Sequence, residues 1–542
     1  MRSAARRPDH EALVFPHARF SYREAAEGAI HMARSLAAMG VGRGDHVGLL
    51  MPNCPDCVFA FFAVQLLGAV AVPINTRFRA HELRYVIDHA DVDVLLTSDI
   101  VDEQVDFVER LCEAFPSLRL APDPARLELP EAPGLRSVVL LGEKNPVGLL
   151  SRVSFDGLAD RMSEQEIMRR AASVRVRDIA LILFTSGTTA HPKGALITHE
   201  AAFRVWVSAA SRLRITADER IWDPLPMFHM SCLGPMIFAF NLGATLLSML
   251  HFEPEAALEM VEREKVTWLQ SVFPPIVMGL IRHPDFSRRD LSRVRGLLNV
   301  APPDTLRLIQ AAFPNAVQIG GHFGMTEAAG VITCNEWDAT PDEQAETTGA
   351  PVPGTEVRVI DPGTGDPLGA GIPGELQIRG PGLFEGYYDD PQNTAAAMTD
   401  DGWLRSGDLG RIDSRGLVVF LGRIKEMLKV GGENVAPAEI ESYLSTHPAV
   451  KLVQVVGVPD ERLDEVPAAF IELNAGGALT AEEVIAHCQG AIASFKVPRY
   501  VRFVTEWPMS ATKIQRFRLK EQLAAELDGP APPVAEDSPL GG

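Results

Sequence analysis

Residues 183–200 read LFTSGTTAHPKGALITHE. Thr185, Ser186, Thr188 and Thr189 crowd four hydroxyls around Gly187, with closely spaced backbone N–H groups between them. Glycine lets the backbone turn sharply and come close to a ligand. Lys193 adds a positive charge. Such a nest of donors beside a lysine suits phosphate oxygens. The spacing does not fit G-x-x-x-x-G-K-[ST], so a Walker loop is excluded. The preceding DIALILF reads as a strand, which puts the loop at a strand's carboxyl end, where α/β proteins bind ligands.

A loop of this kind needs rigid elements behind it, and the chain supplies them in alternation. SYREAAEGAIHMARSLAAMG (21–40) carries apolar residues at helical spacing and ends at Gly40. HVGLLMP (46–52), AVAVPIN (69–75) and VDVLLTS (92–98) read as strands with helices between them. That rhythm predicts α/β layers with largely parallel strands. Residues 118–150 are richer in Pro and charge and read as a surface excursion. Around 340–420 the texture changes to short strands, TEVRVID, GELQIRG and GLVVFLG, separated by Gly and Pro, as in a small β-rich subdomain. From about 426 a compact α/β unit is predicted, with helices at 437–446 and 480–492 and strands at 453–458 and 468–473. The tail 529–542 lacks the apolar content to fold and is expected to be disordered.

Composition bounds the partners. The chain has 542 residues, 46% of them apolar, and a formal net charge of −20. An acidic surface of that size argues against nonspecific binding to nucleic acid or anionic membrane, but leaves room for an anionic ligand in a locally basic pocket. The apolar runs at 58–73 and 235–250 are short and interrupted, so no membrane span is expected. The N-terminus has arginines but no apolar core of a signal peptide. The six cysteines are scattered, and Cys54-Pro-Asp-Cys57 has no second pair to complete a metal site. A capped helix start after Asn53 is the preferred reading there, and a reduced, cytoplasmic protein is expected.

Further along, seven more strings fall in a fixed order: PLPMFHMSCLG (224–234), NVAPPD (299–304), GHFGMTEAAG (321–330), GELQIRGPGLFEGYY (374–388), WLRSGDLG (403–410), GRIKEMLKVGGENVAPAEIE (422–441) and WPMSATKIQRFRLK (507–520). With the loop they resemble the adenylate-forming superfamily, in its acyl-CoA synthetase branch of AMP-dependent ligases. The resemblance runs across nearly the whole chain. It implies an N-terminal domain (1–422) of layered α/β subdomains plus a small β-rich one. A hinge (423–425) and a small mobile α+β C-terminal domain (426–528) would follow.

The resemblance implies two steps. A carboxylate attacks the α-phosphate of ATP to give an acyl-adenylate and pyrophosphate; a thiol, usually that of CoA, then attacks the acyl carbon and AMP leaves. Thr185, Ser186, Gly187, Thr188, Thr189 and Lys193 would cradle the β- and γ-phosphates. Thr326 would meet the α-phosphate and Glu327 would hold Mg²⁺. Ala301, Phe323, Gly324 and Met325 would line the nucleotide pocket, with the Phe323 ring facing adenine. Asp408 would bind the ribose hydroxyls, helped by Arg423 from the hinge side. Lys513 would neutralise charge between carboxylate and α-phosphate in the first step. Lys425 would sit at the hinge, and Gly431 and Gly432 would let the pantetheine arm pass. His229 would gate the acyl site. Amino-acid-activating relatives carry an Asp there, so the acid is expected to lack an α-amine.

Two departures touch the ATP-using step. Ala190 stands where relatives have a second glycine, and Ser510-Ala511-Thr512-Lys513 lacks one glycine of the usual T-A-T-G-K. An ATP-dependent acyl-CoA synthetase is the leading reading. An enzyme that only thioesterifies an adenylate made by a partner enzyme, and a noncatalytic nucleotide- or acyl-binding protein, are the alternatives. The acid, the pathway (fatty acid or secondary metabolism) and a homodimeric state stay open at this level.

Overall fold

The computed structural model describes residues 1–185, 192–431, 433–460, 462–510 and 513–528. By contact the chain divides into two units, Met1–Ser406 with Gly410–Phe420, and Gly407–Leu409 with Leu421–Gly542.

The first unit holds two seven-stranded sheets. One runs in the order Leu150–Ser151, Ser137–Leu140, Val94–Thr97, His46–Leu50, Val70–Pro73, Ile179–Thr185, Lys193–Thr198. Its pairs are parallel except the last, where Ile179–Thr185 turns back on Lys193–Thr198 as an antiparallel hairpin. The other runs Val317–Gly320, Gly296–Asn299, Trp268–Leu269, Arg220–Trp222, Thr245–Leu247, Glu11–Phe15, Ala18–Ser21.

Side chains of a strand alternate between faces, and here both faces are buried. Ala71 faces one core while Val70 and Val72 face another; Leu181 and Leu183 oppose Ile182 in the same way. Ile221 and Leu246 point into the first core, Trp222 and Leu247 into a third. The first core takes residues from both sheets and from the helices Tyr22–Ala38, Pro55–Leu67, His199–Arg212 and Met230–Leu242. Strands covered on both sides read as continuous apolar runs, which is why they were visible in the sequence.

Local signals set the helix ends. Ser21 accepts from the Glu24 N–H while the Glu24 carboxylate accepts from the Ser21 N–H, a capping box. Pro55 opens the next helix and Gly68, at φ 66°, closes it. The cap before Pro55 is Cys54, not Asn53. Asn53 is buried and turned elsewhere. It donates to Leu225 O (2.7 Å) and Ser248 Oγ (3.3 Å) and accepts from Met227 N (2.9 Å). All six cysteines are free and buried.

A second expectation is also corrected. Residues 118–150 are no surface excursion: Ser137–Leu140 is a fully buried strand of the first sheet, and Leu127, Leu129, Ala132 and Leu135 pack beneath it. Pro and charge at the turns masked a run of only four strand residues.

A four-stranded sheet follows in the order Glu356–Ile360, Gly374–Arg379, Leu404–Ile412, Val418–Arg423. The second unit has a five-stranded sheet built on the long hairpin Val450–Asp460 and Asp464–Leu473, with Tyr500–Phe503 parallel to the latter. The helix Pro437–Ser445 lies on one face, and Arg516–Asp528 puts Leu519 and Leu523 on the other. The strands run longer than the expected 453–458 and 468–473, and the helix Ala481–Cys488 is shorter than 480–492. Among the described residues no helix is long and apolar enough to cross a membrane.

Candidate active site

Thr185 ends the strand Ile179–Thr185 and Lys193 begins its hairpin partner, the two paired across the ladder. Ser186, Gly187, Thr188 and Thr189, together with Ala190, lie outside the described residues. Lys193 Nζ donates to Asn393 Oδ1 at 2.7 Å and stands 5.1 Å from the centre of the Tyr387 ring. A cation over a tyrosine face is attracted by the ring quadrupole. Tyr387 in turn donates its O–H to Glu327 Oε1 at 2.8 Å. One tyrosine therefore joins Lys193 to Glu327.

The backbone explains how Tyr387 gets there. Residues 385–388 add themselves along the edge of Lys193–Thr198: Glu385 N donates to Leu196 O, Leu196 N to Gly386 O and Tyr388 N to Gly194 O, at 2.8–2.9 Å. Phe384 N donates to Glu327 O at 2.9 Å, which anchors the same segment to the second motif. Tyr387 and Asn393 are not among the residues singled out from the sequence. The tyrosine pair Tyr387-Tyr388 was the available signal.

Thr326 and Glu327 sit on a tight turn, the 3-10 segment Thr326–Ala328. Ala328 N and Gly330 N both donate to Met325 O, and Ala329 N donates to Thr326 O. The turn forces Ala329 to φ 51° and Gly330 to φ 97°. A left-handed alanine is strained by about 1 kcal/mol, and Trp206 Nε1 holds it by donating to Ala329 O at 2.8 Å. Gly324 is needed for space: a Cβ there would lie 1.9 Å from Gly330 O. Phe323 is buried, and its ring lies against Phe420 with centroids 5.8 Å apart, a neighbour the sequence reading did not include. Ala301 follows the strand Gly296–Asn299 and precedes the helix Pro303–Ala312, half buried.

His229 caps the helix Met230–Leu242 and stands 4.7 Å from the Phe228 ring. Its loop is held from behind by the Asn53 bonds to Leu225 and Met227, and by Ser248 Oγ donating to Asp223 O at 2.7 Å. Burial pushes the Asp223 carboxyl well above its usual range, opposed by the Leu225 N–H that it accepts at 3.0 Å.

Beneath the Glu327 turn, His322 Nε2 bonds Gly330 O at 3.2 Å, and its ring stacks on Trp206. Burial lowers its pKa from the ordinary 6.5 to about 4, with the Gly330 carbonyl opposing the shift. The native ring is therefore neutral, while the unfolded chain takes up a proton near pH 6.5. Between those values the unfolded state binds more protons, so stability falls as pH falls through that window. Between pH 7 and pH 5 this group alone should remove about 2 kcal/mol. Denaturant unfolding at the two pH values should show a shallower loss for His322→Phe than for the natural chain; equal slopes would refute the assignment.

In the second unit Asp408 is buried at 2% exposure, and Arg423 Nε pairs with its Oδ1 at 2.8 Å. Arg423 precedes the 3-10 turn Ile424–Glu426, which carries Lys425. The structure thus joins two of the residues singled out from sequence. Gly431 has φ 60° and donates its N–H to Leu463 O at 2.8 Å; Gly432 lies outside the described residues. Lys513 pairs with Ser510, and Ile514 with Met509, in a two-stranded hairpin. Residues 511 and 512 between them lie outside the described residues.

Comparison with known proteins adds the following. Residues 1–388 match the AMP-binding enzyme family, and residues 439–513 match the AMP-binding enzyme C-terminal domain. A Bacillus subtilis protein named as an acyl-CoA synthetase, YngI, is 35% identical over 521 residues, covering 95% of this chain and 94% of its own. The human mitochondrial medium-chain acyl-CoA ligase ACSF2 is 32% identical over 540 residues, covering 97% and 87%. The crystal structure of the anthranilate CoA ligase AuaEII with anthranoyl-AMP superimposes with a TM-score of 0.85 at 28% identity, covering 97% of this chain and 96% of that one. ATP-bound MatB from Rhodopseudomonas palustris gives a TM-score of 0.79 at 27% identity, covering 94% and 95%.

Proposed function

Because the chain belongs to the AMP-binding enzyme family, in its acyl-CoA synthetase branch, we propose that it joins a carboxylic acid without an α-amine to CoA. ATP is cleaved to AMP and pyrophosphate through an acyl-adenylate. The observation that carries this reading is Tyr387, which contacts both Lys193 and Glu327.

In the first step a carboxylate oxygen attacks the α-phosphorus and pyrophosphate leaves. Anions must be brought together, so the site needs cations and N–H donors aimed at the developing charge. Thr185, Ser186, Gly187, Thr188, Thr189 and Lys193 hold the β- and γ-phosphates, and Thr326 meets the α-phosphate. Ala301, Phe323, Gly324 and Met325 line the adenine. Asp408 accepts from the ribose hydroxyls, oriented by its ion pair with Arg423. Lys513 neutralises charge between the acid and the α-phosphate.

Among the described residues no three metal-binding side chains form a cage. Mg²⁺ is ordinarily held by one or two carboxylates plus substrate phosphates, so the oxygen donor Glu327 fits it. When bound, the ion neutralises phosphate charge. Tyr387 sets the direction of the carboxylate that would hold it.

In the second step the CoA sulfur attacks the acyl carbon and AMP leaves. Lys425 marks the hinge between the two steps, and Gly431 and Gly432 give the pantetheine arm room. His229 offers no carboxylate for an α-ammonium, which favours acids without one. The relatives' names point first to medium-chain fatty acids and to aryl acids such as anthranilate.

The test is to incubate the pure protein with CoA, Mg²⁺ and a pool of medium-chain and aryl acids. One arm receives ATP, the other the matching preformed acyl-adenylates, and mass spectrometry reads the products. Acyl-CoA with AMP and pyrophosphate in the ATP arm is the expected result. Thioester from adenylates alone would overturn the ATP-dependent step, and none in either arm would overturn the reading altogether.

A further inference from the structure

Lys513 stands on a hairpin of only two residue pairs. A two-stranded hairpin is marginal by itself, so something else must hold it. Gln515 N donates to Pro508 O at 2.7 Å, which closes the base of the hairpin. The helix Arg516–Asp528 then begins three residues after Lys513.

Its first side chain makes an unusual set of contacts. Arg516 Nη2 donates to both oxygens of Glu441 at 2.8 Å, and Nε donates to Gln454 Oε1 at 2.8 Å. Nη1 donates to Glu426 Oε2 at 2.6 Å. These partners lie on three elements: the helix Pro437–Ser445, the strand Val450–Asp460 and the 3-10 turn Ile424–Glu426. Glu441 is buried and also accepts from Val455 N at 2.7 Å, so the far end of the fork is anchored in the core. Burial raises the Glu441 pKa and the Arg516 charge opposes that rise. A planar guanidinium presents its donors in a fixed fork spread over three nitrogens, whereas a lysine has its three donors on one nitrogen and cannot reproduce the two-oxygen grip on Glu441 together with the separate reach to Gln454 and Glu426.

We propose that Arg516 is a positioning residue for the adenylation step, locking the Lys513 hairpin at a fixed place relative to the turn that carries Lys425. The proposal rests on the function given above, with Lys513 acting in the first step. Arg516 acts through Lys513 and touches neither substrate. A displacement of about 1 Å at a reacting group lowers a rate on the order of a hundredfold.

The experiment compares the natural enzyme, Arg516→Met and Arg516→Lys in the two half-reactions. ATP–pyrophosphate exchange, with an acid that the pooled assay converts, reads adenylation. Acyl-CoA release from the preformed adenylate reads thioesterification, and it also reports that the second unit is folded. Arg516→Met should slow exchange roughly thirtyfold and leave thioester release within about twofold. Arg516→Lys keeps a charge against Glu441 and so protects the fold; its exchange rate should fall between the other two. Equal losses in both half-reactions for Arg516→Lys, or no loss in exchange for either variant, would overturn the proposal. A natural enzyme inactive in both arms would overturn the proposed function itself, and this inference with it.

Discussion

Lys513→Ala should lower ATP–pyrophosphate exchange by about 10²–10³-fold, the range found when one preorganised donor to developing charge is removed. Thioester release from a preformed acyl-adenylate should stay within about twofold, because the charge that Lys513 offsets has by then left with pyrophosphate. The asymmetry follows from electrostatics. In the first step a carboxylate approaches a polyphosphate, and a cation between them is stronger in the transition state than in the separated reactants. In the second step the leaving AMP carries its charge away from the acyl carbon. Thioester release by the same variant also reports that the second unit is folded. A variant that loses both half-reactions equally would place Lys513 outside the chemistry of the first step.

Glu327→Gln is expected to slow exchange by about 10²-fold and to raise the Mg²⁺ concentration needed for half-maximal rate. Glutamine keeps an oxygen for the Tyr387 O–H, which now lies 2.8 Å from Glu327 Oε1, so the local hydrogen bond can remain. What disappears is the negative charge, and a hard divalent cation depends on it. The geometry supplies a control. Tyr387→Phe keeps the ring beneath Lys193 and removes only the O–H, so it should cost less than Glu327→Gln. The measurement is exchange rate against Mg²⁺ concentration for the three proteins. An unchanged magnesium curve in Glu327→Gln would remove Glu327 from the metal role.

Much of the site was legible because its parts are short strings whose residue types state their chemistry. Lys193, Thr326, Glu327 and Asp408 could be named from local pattern and resemblance. Arg423, the partner of Asp408, could be named too, but Tyr387 and Asn393, the partners of Glu327 and Lys193, could not. Tyr387 is 60 residues from Glu327 and Asn393 is 200 from Lys193, and no periodicity links such positions. Asn53 was read as a helix cap because Asn before Cys-Pro suits one locally. In the fold its amide instead meets the loop bearing His229, 172 residues away. Residues 118–150 were misread for a related reason: a four-residue strand between turns has too little pattern to outweigh its flanks.

The sequence by itself determined many of the elements and several of their ends. Ser21 with Glu24, Pro55 with Gly68, and the doubly buried strands act over a few residues, through caps, fixed backbone angles and side-chain alternation. Only the tertiary structure decided which elements meet. It set the order of the two seven-stranded sheets, laid 385–388 along the strand Lys193–Thr198, paired Asp408 with Arg423, and fixed Arg516 to Glu441, Gln454 and Glu426. The physical reason is that local signals cost little chain entropy to satisfy. Long-range contacts form only when whole faces bury their apolar area together, and no single residue announces that in advance.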